Sequence, residues 1–277
     1  MFSSSSDLVK FGRAILTYKQ LSALDTRQWM KPHSHTARLS LSVGSPWEIW
    51  RTKSRISDGR VIDLYTKSGS IGAYNSLLVL IPDYNVSISI LAAGSTSSSA
   101  IDIATELALQ TLIPAIDKVF LHQACNSICG TYTGFSVGRN SSITVAADQY
   151  GLVIQSWISR GVDFCAMTRD YSRMTGGGNL TAIRLQTTNF GSPSNLDLGE
   201  NGVRKVAYRA IFETKPIADG TSRQRPRIFD PTAHQWSSVD NVMYGSIAVD
   251  DFLVHLNCNG SAVAIEPRGG RETLYLN

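Results

Sequence analysis

Charge is scarce in this sequence. Asp, Glu, Lys and Arg make up 17% of the 277 residues, against about 25% in an average soluble domain. With 43% hydrophobic residues beside so little charge, a wholly disordered chain is excluded, because enough apolar surface is available to offset the entropy of ordering. An excess of one sign is missing too. Lys plus Arg number 26 against 22 acidic residues, a net charge of +4. That balance argues against nucleic acid or an anionic membrane surface as a partner. Long apolar runs are absent, Leu77-Leu78-Val79-Leu80-Ile81 being a typical maximum, so no membrane span of roughly 18 residues is expected. No signal peptide is visible either. Met1-Phe2 lead directly into Ser3-Ser4-Ser5-Ser6-Asp7, without a basic region, an apolar stretch or a cleavage site.

What is present reads as two domains, 1–118 and 119–277. Ser6-Asp7 is a helix-start signal, since a Ser oxygen accepts a first-turn amide and a carboxylate suits the positive end of the helix dipole. Leu8, Phe11, Ile15 and Leu16 then fall on one helical face. A loop carrying Trp29, Pro32, His33 and His35 is expected next. Pro46 to Trp50 and Arg60 to Tyr65 flank Asp58-Gly59, a dipeptide that favours a hairpin turn. Tyr74 to Ile81 is apolar enough for a strand buried on both faces, and Val86 to Ala93 reads as its neighbour. Ser99-Ala100-Ile101-Asp102 resembles a capping box opening an apolar helix that ends around Pro114 to Lys118.

Beyond residue 119 the texture changes to Gly, Thr, Asn and short alternating runs. Strands are expected at 143–145, 152–154, 182–185, 203–212, 242–249 and 252–256. Asn259-Gly260 is a second hairpin signal, and Thr214 to Arg227 reads as an exposed loop. Evenly spaced short strands predict an all-β barrel or sandwich.

One motif carries chemistry. Lys67-Ser68-Gly69 stands at the end of one predicted strand and before another, the setting of the Lys-Ser/Thr-Gly element in penicillin-recognising serine hydrolases. The tripeptide alone is common. Its surroundings are more specific: Asp63 to Ser76, then Ile81-Pro82-Asp83-Tyr84-Asn85, then Leu91-Ala92-Ala93-Gly94. Together they resemble the carboxyl-terminal portion of the β-lactamase/transpeptidase-like family, closest to fungal members of its class C-like branch. Met1 to Leu16 resembles the helix before this strand in that family, and Val43 to Ile49 its Gly-Trp strand. Gly130-Thr131-Tyr132-Thr133-Gly134 and the β-rich remainder resemble the lipocalin-like appendage of some fungal members. The fold so implied is α+β: part of a β-lactamase-like domain, an antiparallel sheet with flanking helices, followed by the β-domain.

The resemblance implies ester or amide chemistry on a small molecule, of the kind recruited in fungal secondary metabolism, through an acyl-enzyme. Lys67 would place positive charge beside the nucleophile and the substrate carboxylate. Ser68 would hydrogen-bond that carboxylate, Gly69 would leave room for substrate along the strand, and the Ser70 N–H would form half of an oxyanion hole. No cofactor is implied. The family nucleophile lies in Ser-x-x-Lys, and no Lys here has Ser three residues before it. The family's Tyr-x-Asn matches only Tyr275-Leu276-Asn277, which is placed after the appended domain. The chain is therefore read as a truncated product of a longer ancestor, with two alternatives beside the hydrolase reading: an inactive pseudoenzyme, or a ligand- or partner-binding module. A partial sheet would expose an edge strand and an apolar face, so self-association is expected.

The remaining candidates point elsewhere. His33 and His35 have no Cys or carboxylate at ligand spacing, and His122, Cys125 and Cys129 match no zinc signature. No metal is expected. Cys125 and Cys129 suit a linker or a disulfide, and Cys165 with Cys258 is another pairing, but four Cys permit three connectivities. Sequons at Asn85, Asn140, Asn179 and Asn259 lean, with the cysteines, toward a secreted ancestor. Trp47, Trp50 and Trp157 read as packing residues, and Arg223, Arg225 and Arg227 as a solvated loop.

Overall fold

A computed structural model of the chain describes residues 3–53, 61–134, 140–176, 178–188, 202–215 and 238–277. The chain divides into two compact units, Met1–Val119 and Phe120–Asn277.

The first unit opens with α1 (Ser5–Leu16). Its cap is Ser4 rather than Ser6: the Ser4 hydroxyl accepts the Asp7 N–H at 3.2 Å. The buried side of α1 is centred on Gly12 and Ile15, whereas Phe11, expected inside, is exposed. Gly12 sets that rotation, because a Cβ there would meet the Ser87 hydroxyl and the Leu80 side chain. α2 (Ala23–Trp29) replaces the expected loop, with Ser22 accepting from the Asp25 N–H at 3.1 Å.

Six strands follow: β1 (Ser34–His35), β2 (Leu41–Val43), β3 (Glu48–Lys53), β4 (Val61–Ile71), β5 (Tyr74–Ile81) and β6 (Val86–Ala93). They form one sheet in chain order with every pairing antiparallel. The period of two divides their side chains between two cores. Ile49, Leu78 and Leu80 pack with Ile15, Met30 and Trp47 on one face. Ile62, Leu64, Val79 and Ile81 pack with Ile113 on the other. Asp58-Gly59 lies outside the described residues.

The next helix, α3 (Ser97–Ile128), corrects two expectations. It begins before Ser99, so Ser99 to Asp102 is helix interior and not a cap. It also runs through Pro114, which removes one internal hydrogen bond. Ile113 is buried against the sheet and Ile116 packs at the same cluster, and this anchoring holds the turns on either side of the proline. The Tyr84 hydroxyl donates to Asp117 Oδ1 at 2.8 Å and ties the β5–β6 connection to the same stretch. By length and composition alone, α3 is long and apolar enough to cross a membrane, a property that single short runs such as Leu77 to Ile81 do not reveal.

The second unit contains β7 (Gly130–Thr133), β8 (Ser142–Asp148), β9 (Gly151–Ser159), β10 (Val162–Asp163), α4 (Phe164–Met174), β11 (Asn179–Thr187) and β12 (Arg204–Lys215). After these come β13 (Met243–Tyr244), β14 (Ile247–Ala248), β15 (Asp251–Leu256), β16 (Ala262–Pro267) and β17 (Leu274–Leu276). Eight of them close a barrel in the order β7-β8-β9-β11-β12-β15-β16-β17, with β17 returning to β7 through Tyr275 opposite Thr133 and Leu276 opposite Tyr132. Closure decides between the two expected architectures in favour of the barrel. A barrel of eight strands is just wide enough for side chains to fill, and Tyr132, Ile143, Trp157, Phe252 and Leu274 pack together in its core. A register shift where β8 meets β9 lets both Ile154 and Trp157 be buried, though they lie three apart.

Two expectations fail in this unit. The stretch 242–249 is not one strand but the small β13–β14 pair, because Gly245 and Ser246 take positive φ and turn the chain. A helix, α4, interrupts the expected all-β order. Asp163 caps it by accepting the Ala166 N–H at 3.0 Å, and Phe164 stacks on Trp157 with ring centroids 4.0 Å apart. Thr214 and Lys215 end β12, while the rest of the expected loop, with Arg223, Arg225 and Arg227, lies outside the described residues. The hairpin at Asn259-Gly260 forms between β15 and β16, with Gly260 at φ +79°.

Candidate functional site

Lys67-Ser68-Gly69 is not at a strand end. β4 continues to Ile71 and turns at Gly72, which has φ +59°. The pairing of β3 with β4 stops at Glu48 opposite Thr66. Among the described residues, β4 is therefore paired with β5 alone from Lys67 to Ile71, and its other edge is open. Lys67, Ser68, Gly69 and Ser70 are all exposed there.

At this edge three groups meet. Lys67 Nζ donates to Glu48 Oε1 at 2.7 Å. Ser68 Oγ donates to the same carboxylate, 3.0 Å from Oε1 and 3.1 Å from Oε2. Lys67 Nζ also reaches the Ser68 carbonyl at 3.1 Å. The side chains of Lys67 and Glu48 are 44% and 36% exposed, so the cluster sits at a water boundary. Chemically it is a cation and a hydroxyl converging on one carboxylate.

The backbone of this edge is set by alternation. The Gly69 carbonyl faces β5, where Ser76 Oγ donates to it at 3.3 Å. Ser68 and Ser70 thus present their N–H and C=O groups to the open side. A Cβ on Gly69 would come within 2.8 Å of Ser76 Oγ and touch no other atom within 4 Å. The hairpin tip is held by Ser97, buried at the start of α3. Its hydroxyl accepts from Asn75 Nδ2 at 2.7 Å and donates to the Ala73 carbonyl at 2.9 Å.

In the sequence, Glu48 falls within the stretch that resembles the Gly-Trp strand, and no motif marks it. Its place one residue after buried Trp47, on the opposite face of β3, was the available signal. Tyr275-Leu276-Asn277 lies at the end of the second unit. It belongs to β17, with Asn277 Oδ1 accepting from Thr133 Oγ1 at 2.6 Å. Cys125 and Cys129 form a disulfide, while Cys165 is free and half-buried and Cys258 is free and exposed. His35 Nδ1 lies 2.9 Å from Ser42 Oγ. Trp47 and Trp157 are buried as expected, but Trp50 is exposed.

In the barrel, Arg184 is a charge with several partners. It makes two hydrogen bonds to Asp148, at 2.8 and 3.0 Å, and one to Glu213 at 2.9 Å. The arginine is buried and spans three strands, which is the placement of a structural clamp.

A family model described as "Beta-lactamase-like-like, C-terminal domain" matches residues 121–276, more than half of the chain. The chain belongs to the β-lactamase-like family. A β-lactamase-like protein of Arthroderma benhamiae is 26% identical over 264 residues, covering 90% of this chain and 44% of its own. The probable hydrolase clz13 of Cochliobolus lunatus is 26% identical, covering 96% of this chain and 43% of its own. The probable hydrolase M10 of a Phoma species is 24% identical, with 98% and 46% covered. The β-lactamase-like chain thus spans less than half the length of the curated relatives it matches. Crystal structures of SurE, alone and with D-Leu, align at TM-scores of 0.29 and 0.28 and 12% identity, covering 99% of this chain and 48% and 50% of theirs. Likeness at that level carries no argument about fold or site.

Proposed function

We propose that Lys67, Ser68, Gly69 and Ser70 form the substrate-binding strand of a β-lactamase-like hydrolase or acyltransferase site acting on a small ester or amide that bears a carboxylate. The observation that carries this reading is the convergence of Lys67 Nζ and Ser68 Oγ on one carboxylate, that of Glu48. A substrate carboxylate offers the same two-oxygen acceptor to the same donors. The open edge beyond Thr66 supports it, because the Ser70 N–H is presented where a carbonyl oxygen could accept it. In this reading the acyl-accepting nucleophile does not come from these 277 residues, which hold no Ser-x-x-Lys. The relatives carry more than half their length outside the match, and such a nucleophile would belong to a region of that kind.

The test is a titration with benzylpenicillin, which has a carboxylate beside a strained amide, read by amide NMR at Ser68 and Ser70. Saturable shifts that vanish in Lys67→Ala are expected. Shifts unchanged in Lys67→Ala would overturn the assignment. A second reading, a non-catalytic binding module, is favoured by the same missing motif. Turnover of a p-nitrophenyl ester that disappears in Lys67→Ala would count against it.

A further inference from the structure

We infer that Glu48 is a built-in competitor at the Lys67–Ser68 site, a resident carboxylate that an incoming carboxylate must displace. The inference rests on the proposed function and adds what sets its affinity. Both side chains of the pair already engage Glu48: one Lys67 N–H at 2.7 Å, and the single Ser68 hydroxyl hydrogen, with Oγ at 3.0 and 3.1 Å from the two oxygens. A second carboxylate added to this arrangement would face a like charge, and the Ser68 hydroxyl hydrogen would already be in use.

Displacement is open to Glu48 because it is the first residue of β3 and its carboxylate reaches water. Its backbone is held independently of its side chain, by the pairing with Thr66 and by the Thr66 hydroxyl, which donates to the Glu48 carbonyl at 2.7 Å. The side chain can therefore swing away without unzipping the strand. An ion pair this exposed is weak, so the barrier it sets is a moderate one that selects ligands. A neutral ligand cannot replace the negative charge and leaves Lys67 paired with Glu48. A carboxylate ligand replaces it in kind and releases Glu48 to solvent.

The experiment compares sodium benzoate with benzamide, titrated into the full 277-residue chain and into Glu48→Gln, and read at the Ser68 and Ser70 amides. Gln keeps the size and the acceptor oxygen but carries no charge. Benzoate is expected to bind Glu48→Gln about fivefold more tightly than the parent chain, with benzamide unchanged between the two. Equal or weaker benzoate binding in Glu48→Gln would overturn the inference and make Glu48 a positioning residue for Lys67. Absence of benzoate binding in both proteins would instead remove the carboxylate site on which the inference rests. Lys67→Ala in the Glu48→Gln background checks that the gain runs through the ammonium, because it should abolish the added affinity.

Discussion

Glu48 Oε1 accepts a hydrogen bond from Lys67 Nζ at 2.7 Å, joining residues 19 apart in the sequence. The two meet because β3 begins where β4 is still extending, so the last β3–β4 position, Glu48 opposite Thr66, brings the carboxylate beside Lys67, which is paired only with Leu78 of β5. The unpaired stretch of β4 and the carboxylate beside it thus arise from one feature of register.

Gly69 should separate recognition from stability. A Cβ there touches only the Ser76 hydroxyl, which can rotate aside. Gly69→Ala is expected to keep stability within about 1 kcal/mol in urea unfolding. Benzylpenicillin binding should fall about tenfold, because a methyl group then stands on the strand where substrate would lie. Unaltered binding would remove Gly69 from the site.

Gly12 should behave in the opposite way. Its missing side chain is what allows α1 to lie against Ser87 and Leu80. Gly12→Val is expected to destabilise the first unit by about 1–3 kcal/mol through overpacking, read by chemical denaturation. A neutral result would mean that α1 approaches the sheet less closely than described.

The Arg184 clamp gives a pH signature in the barrel. Burial pushes the Asp148 carboxyl up, but hydrogen bonds from Arg184 and the Tyr150 N–H, together with the Arg184 charge, outweigh it and hold the group below its ordinary value. A carboxyl depressed in the folded state contributes stability that is present above the unfolded value, near 4, and is lost as pH falls through the folded one. Arg184→Met should destabilise the barrel by about 2 kcal/mol at pH 7, a discounted figure because both carboxylates reach water. It should also flatten the loss of melting temperature between pH 5 and pH 3. A parallel shift at every pH would show that Asp148 gains nothing from Arg184.

How far the sequence was legible follows from the range of each interaction. The β5 run from Tyr74 to Ile81 is readable because its period is local, whereas the extension of β4 past Lys67-Ser68-Gly69 to Ile71 is not marked by the motif. Glu48 was not assigned, since its meeting with Lys67 depends on a pairing register across the hairpin. Pro114 misled because a proline is read as a helix end, whereas burial of Ile113 held α3 together around it. The caps Ser22 and Asp163 are visible in principle, but α2 is a short helix of seven residues and α4 lies between strand signals. Barrel closure was beyond reach, as it joins Leu276 to Tyr132 from opposite ends of the unit.

The central claim is that this chain recognises a carboxylate through Lys67 and Ser68 without itself supplying an acyl nucleophile. Equilibrium dialysis against labelled benzylpenicillin, followed by denaturation, tests both halves in one measurement. The account predicts label bound to the folded chain, lost in Lys67→Ala, and released in full on denaturation. Absence of bound label, or label that survives denaturation as a covalent adduct, would contradict it.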